Sequence, residues 1–126
     1  MASVLIVDDD PNNRLLLATL LKHAGHEPVE AADGNTALAA VAQEVPGLII
    51  VDLSLPDMTG TALIKRLRRE PRTANAKIAL YSATRSAAAV QELTDLYGIC
   101  GVIPKPGDPQ EVLAILRELL ERAPHS

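Results

Sequence analysis

Aromatic residues are almost missing from this chain: it has two tyrosines and neither phenylalanine nor tryptophan, 2% of 126 residues. A core without them must be built from aliphatic side chains and alanine. So few aromatics argue against a stacking platform for single-stranded nucleic acid, and a net charge of −4 argues against a nucleic-acid surface. Cys100 is alone, so no intrachain disulfide can form, which suits a reducing cytosol. Within its apolar stretch Cys100 reads as a small core residue. No hydrophobic run approaches membrane-spanning length, and Asp8 interrupts the N-terminal one before it could serve as a signal peptide. The expectation is a soluble, cytoplasmic protein with no membrane contact.

Hydrophobic residues make up 48% of the chain, which excludes disorder, and its length suits one domain with one core. That core is expected over about 3–121, with 122–126 as a frayed tail. Met1 stands directly before the first apolar run, so no segment is expected ahead of the domain.

Short apolar runs end at charged residues. Val4-Leu5-Ile6-Val7 leads into Asp8-Asp9-Asp10, Leu48-Ile49-Ile50-Val51 into Asp52, and Gly101-Val102-Ile103 through Pro104 to Lys105-Pro106. Such runs read as strands buried on both faces. Pro28–Ala31 and Lys77–Tyr81 supply two more, the first of them weak. Pro104 has no N–H to donate, which places it at a sheet edge or strand end.

Helical spacing separates the strands. Leu15-Leu16-Leu17, Leu20-Leu21 and Ala24 repeat with helical spacing, with Asp10 as N-cap, Pro11 at the first position and Gly25 as terminator. Asp33-Gly34 turns into a helix carrying Ala37, Leu38, Val41 and Ala42, broken by Pro46-Gly47. Thr59-Gly60 opens a third through Leu63, Ile64 and Leu67, and a fourth runs from about Ala87 to Tyr97. The last has Asp108 as N-cap, Pro109 in its first turn and Val112, Leu113, Leu116, Leu119 and Leu120 on its apolar face. Five strand–helix repeats imply a parallel sheet covered on both faces.

Parallel strands share their carboxyl ends, where ligands bind, so Asp8, Asp9, Asp52 and Lys105 are expected to converge. Clustered carboxylates repel one another when empty, and a divalent cation relieves that. All-oxygen ligation favours Mg²⁺ over zinc. Lys105 offers a positive charge and Ser82 a hydroxyl to a phosphoryl group. His23, His26 and His125 have no ligand-like spacing. Lys65-Arg66-Leu67-Arg68-Arg69 reads as a solvated helix end that complements the dipole. Tyr81 and Tyr97 read as packing residues, Tyr81 pointing away from Ser82 across the pleat.

These residues, taken together, resemble the bacterial response-regulator receiver domain. Asp8-Asp9 resembles that family's acidic pair and Asp52 its phosphoacceptor. Leu53-Ser54-Leu55-Pro56-Asp57-Met58-Thr59-Gly60 is similar to the loop after the acceptor. Ser82-Ala83 and Lys105-Pro106 resemble the later motifs, and Ala32-Asp33-Gly34 before Ala37-Leu38 is a weaker match.

The resemblance implies a flavodoxin-like α/β fold: a doubly wound, five-stranded parallel sheet in order 2-1-3-4-5 with five helices. It implies that Asp52 accepts a phosphoryl group from a histidine kinase or histidine phosphotransfer protein. Mg²⁺ would be held by Asp9, Asp52 and the Ser54 backbone carbonyl, with Asp8 acting through water. Ser82, Lys105 and the N–H groups of Ser54 and Ala83 would bind the phosphoryl oxygens. The Lys105-Pro106 bond is expected to be cis. A downstream protein, or a second copy in a homodimer, would use the face of the fourth helix, last strand and last helix.

Two positions depart from the family pattern. Val102 stands where an aromatic usually swings inward, so the change is expected in the loop around Ala83–Ala87 instead. Gly107 replaces a large apolar residue and is expected to loosen the start of the last helix. Ser54 and Thr84 are the side chains best placed to affect the hydrolytic water.

Two other functions compete. A degenerate receiver would bind partners without phosphorylation, although the acidic set is intact. A haloacid-dehalogenase-type phosphatase would use Asp8 and Asp10 as Asp-x-Asp, but the chain has no late acidic motif and no cap insertion.

Overall fold

The computed structural model describes residues 2–83 and 87–122. Thr84, His125 and the tail at 123–126 lie outside the described residues. Strands β1 (Ser3–Val7), β2 (Glu27–Ala31), β3 (Leu48–Asp52), β4 (Ile78–Ser82) and β5 (Gly101–Pro104) alternate with helices α1 (Pro11–His23), α2 (Gly34–Gln43), α3 (Gly60–Arg69), α4 (Ala87–Tyr97) and α5 (Pro109–Glu121). Every strand pair is parallel and the order is β2-β1-β3-β4-β5. The alternation predicts this parallel sheet, and the family resemblance its doubly wound order.

The apolar runs become strands because both of their faces are covered. Val4 and Ile6 of β1 join one core cluster, while Leu5 and Val7 join the other. The first cluster draws on Leu17 and Leu21 of α1 and Val112, Leu116 and Leu119 of α5. The second draws on Ala37 and Val41 of α2 and Leu63, Ile64 and Leu67 of α3, with Leu93 and Tyr97 of α4 packed against it. Cys100 is a partly buried neighbour of the first cluster, and burial pushes its thiol pKa up.

Short polar side chains start the helices. Asp10 accepts from the Asn12 N–H at 2.8 Å, Asp33 from Thr36 at 2.7 Å and the Thr59 hydroxyl from Ala62 at 3.1 Å. Gly25 closes α1 at φ +86°, a conformation that costs a side chain dearly. Prolines fall on both sheet edges, Pro28 within β2 and Pro104 at the end of β5.

Some residues behave differently from their sequence reading. Arg68 is no solvated helix end. It is half-buried and donates to the carbonyls of Tyr97 (2.6 Å), Ala76 (2.7 Å), Ala74 (3.1 Å), Thr73 (3.3 Å) and Gly98 (3.3 Å). It thereby ties the ends of α3 and α4 to the loop before β4, and burial lowers its pKa from the ordinary value.

Lys77 precedes β4 instead of starting it. It is buried, and its ammonium donates to the carbonyls of Leu119, Leu120 and Arg122 at the end of α5. Arg122 is not frayed: its guanidinium bonds the Cys100 carbonyl and Glu118.

Gly107, before the start of α5, has no room for a side chain. A Cβ there would lie 2.7 Å from Val112 Cγ2 and 2.9 Å from the Pro104 carbonyl. Asp108 then caps the N–H groups of Gln110 (3.1 Å) and Glu111 (3.2 Å).

Arg68→Ala leaves five carbonyls without their donor, and Arg68→Lys supplies a point charge where a planar fork is needed. Urea unfolding should show a loss of about 3 kcal/mol for the alanine variant, with lysine recovering less than half.

Candidate functional site

Adjacency of β1 and β3 brings the acidic residues together. Asp8 directly follows β1 and is fully buried, whereas Asp9 is exposed. Asp52 is the last residue of β3 and nearly buried. One carboxylate oxygen from each of the three lies within 4.8 Å of the others.

Each buried carboxylate is held by named donors. Asp8 Oδ1 accepts from the Asp10 N–H at 2.8 Å, and its Oδ2 from Asn13 Nδ2 at 3.3 Å and Lys105 Nζ at 2.6 Å. The Asp8 carbonyl accepts from Arg14 Nη1 at 2.7 Å, and Arg14 is itself paired with Glu30 at 3.1 Å. Asp52 Oδ1 accepts from the Ser54 N–H at 3.2 Å, while its Oδ2 lies 3.2 Å from Lys105 Nζ. Lys105 therefore bridges Asp8 and Asp52.

Burial alone would lower the Lys105 pKa. The hydrogen bond to Asp8 and the charges of Asp8 and Asp52 outweigh it, and the net shift is upward. The ammonium stays charged through neutral pH. The Lys105-Pro106 bond is cis, as the family resemblance implied.

The remaining expected residues line the same edge. Ser82 ends β4, buried and in register with Pro104, and Ala83 follows it, exposed. Tyr81 points to the other face from Ser82, as the pleat requires, and joins the first core cluster. Its ring also does what the sequence did not disclose: Lys105 Nζ lies 4.8 Å from the ring centroid. Burial, the largest influence, raises the phenol pKa, so the hydroxyl stays neutral. Asn13 and Arg14 were likewise missed, because nothing in the helix pattern reveals that its first turn faces Asp8.

The loop after Asp52 folds back on its own strand. Ser54 and Thr59 form an isolated bridge, and the Gly60 N–H donates to the Leu53 carbonyl at 2.9 Å. Gly60 must be glycine, because a Cβ there would collide with the backbone of Asp52 and Leu53. Asp57 reaches from this loop to α2 and accepts from the N–H groups of Gly34 and Asn35, each at 2.9 Å. Those two bonds lower the pKa of its exposed carboxyl.

An all-oxygen donor set of three carboxylates, without nitrogen or sulfur, suits a hard divalent cation. The ammonium beside it suits an oxyanion. The family model for the response regulator receiver domain matches residues 4–117. The chain belongs to that family.

Its likeness to solved receivers is close. The chemotaxis response regulator CheY4 of Vibrio cholerae superposes with a TM-score of 0.87 at 33% identity, over 94% of this chain and 98% of that one. Among curated proteins, the DNA-binding dual master transcriptional regulator RpaA of Synechocystis is 36% identical over 97% of this chain and 50% of its own length. The phosphate regulon transcriptional regulatory protein PhoB of Pseudomonas aeruginosa is 34% identical over 95% and 52%. The chain spans about half the length of these curated relatives. Receiver domains bind Mg²⁺ at an acidic site and interact with kinases and downstream effectors, and as a family they are not enzymes in the ordinary sense. Among the described residues no helix is long and apolar enough to cross a membrane.

The Asp57 contact gives a pH prediction. Its folded pKa lies below the unfolded value, so its contribution is complete above the unfolded pKa and is lost as pH falls through the folded one. Carbon-13 NMR should show Asp57 titrating below the ordinary 3.8. Asp57→Ala should speed amide exchange at Gly34 and Asn35 while leaving β1 unchanged.

Proposed function

We propose that this receiver domain, one unit over about 3–121, takes a phosphoryl group onto Asp52 from a phosphohistidine of a kinase or phosphotransfer protein. The carrying observation is that Lys105 sits 3.2 Å from Asp52 Oδ2 beside the Asp8–Asp9–Asp52 cluster. A carboxylate oxygen of Asp52 attacks phosphorus, the P–N bond breaks, and the pair of electrons returns to the imidazole. Asp8 is the poorer nucleophile, being fully buried where Asp52 keeps some exposure.

The other residues receive the product. Lys105 exchanges its contact with Asp52 Oδ2 for a phosphoryl oxygen while keeping its bond to Asp8. The Ser82 hydroxyl and the N–H groups of Ser54 and Ala83 donate to the same group. The Ser54 N–H already faces the Asp52 carboxylate. Asp9, Asp52 and the Ser54 carbonyl are the ligands assigned to Mg²⁺, with Asp8 through water. When bound, that ion withdraws charge from the phosphoryl oxygens. The acyl phosphate then hydrolyses, with Ser54 and Thr84 the side chains assigned to affect the water, so self-catalysed transfer and dephosphorylation are the only reactions assigned.

The domain is assigned to the cytoplasm. Its output contact, to a downstream protein or a second copy, is assigned to the surface of α4, β5 and α5. Val102 packs with the second core cluster, and as a β-branched residue it has few χ1 states and little reach. The response should therefore run mainly through the segment after Ser82.

Acetyl phosphate should label wild type in the presence of Mg²⁺, and Asp52→Asn should abolish labelling. Asp10→Asn, which alters only the α1 cap, should retain more than half of it. A phosphopeptide carrying Asp8 instead would assign the phosphatase reading and overturn this one.

A further inference from the structure

Strand order sets Lys105 a problem of reach. It leaves the end of β5, yet its ammonium contacts Asp52 at the end of β3 and Asp8 after β1. Neighbouring strands lie about 4.8 Å apart, so the side chain must pass over β4 to arrive. What lies beneath it there is Tyr81, in register with Asp52 on one side and Ile103 on the other. The ring is 1% exposed and packed in the cluster built by α1 and α5, so it has nowhere to move. The ammonium stands over that ring, 4.8 Å from its centroid.

We infer that Tyr81 is a positioning residue for phosphoryl transfer, holding the Lys105 ammonium above β4 between Asp8 and Asp52. This rests on Asp52 being the acceptor. A lysine has a flexible four-carbon stem and a compact charge, and left alone it would settle against whichever carboxylate attracts it most. Asp8, at 2.6 Å, already holds it more closely than Asp52 does. The electron-rich face of an aromatic ring attracts a cation without offering it a proton acceptor. It keeps the ammonium in place without competing for the hydrogen bond that a phosphoryl oxygen will take. An aliphatic side chain at position 81 fills much of the space but supplies no such attraction. The hydroxyl plays no part in this role, so phenylalanine should serve as well as tyrosine.

The test compares Tyr81→Phe, Tyr81→Leu and Tyr81→Met, each first checked by its amide NMR spectrum for the native fold. In wild type and the phenylalanine variant, ring current should shift the Lys105 ε-methylene protons upfield. In the leucine and methionine variants that shift should vanish. Phosphorylation by acetyl phosphate and the half-saturation for beryllofluoride, both with Mg²⁺, should worsen about fivefold in those two variants and stay within about twofold of wild type in the phenylalanine variant. Wild-type rates in a folded leucine or methionine variant would overturn the inference. So would a phenylalanine variant that falls as far as leucine, which would assign the effect to the hydroxyl or to packing. Labelling that survives Asp52→Asn would refute the acceptor assignment instead, and would leave the ring-current result standing as a structural fact.

Discussion

Like charges held close together govern this structure. Three carboxylates with oxygens within 4.8 Å of one another repel, and a fold that places them so must supply the compensation. Asp8 directly follows β1 and Asp52 ends the neighbouring β3, which ties their approach to the spacing of the sheet. The compensation comes from a third strand beyond β4, as one ammonium with two carboxylate contacts. The first turn of α1 adds the Asp10 N–H and the Asn13 amide. Among the described residues no buried side-chain polar atom lacks a hydrogen-bond partner. Even so the site keeps more negative than positive charge, and that surplus is what a divalent cation would neutralise.

The opposite edge of the sheet has the complementary task. Helices that return antiparallel to the strands bring their carbonyl ends there, with the negative pole of each dipole. Arg68 and Lys77 meet those ends as buried or half-buried cations bonded only to carbonyls. Neither needs a carboxylate partner, because the helix termini supply the acceptors. Cations without carboxylate partners thus close one end of the sheet, while the mutually repelling carboxylates gather at the other.

Most of the fold was legible because its signals are local. Buried parallel strands read as continuous apolar runs, and Asp10, Thr59 and Asp108 announced helix starts by residue type and spacing. The acidic cluster was legible too, since each member directly follows or ends such a run. What escaped detection depends on distance in space. Arg68 reads as one more charge in a basic run, and only the folding of the loop after Pro71 around it reveals its burial. Lys77 reads as a strand start because its partners lie more than forty positions away. Tyr81 reads as packing, which is correct, but the cation above it comes from a different strand. Gly107 reads as a missing side chain, and only the nearness of Val112 and the Pro104 carbonyl reveals that the position has no room for one.

Both margins of the sheet bear a proline. Pro28 removes a donor from β2, where Glu27 and Glu30 add exposed negative charge, and Pro104 ends a β5 of only four residues. At β2 an incoming strand finds a gap in the row of donors beside the exposed Glu27, and at β5 it finds only four residues to pair with. Sheet growth by edge-to-edge addition, the first step toward fibrous aggregates, is therefore discouraged at both ends. A crowded population of these molecules is left to meet through helical surfaces, whose contacts are side-chain-specific and readily reversed.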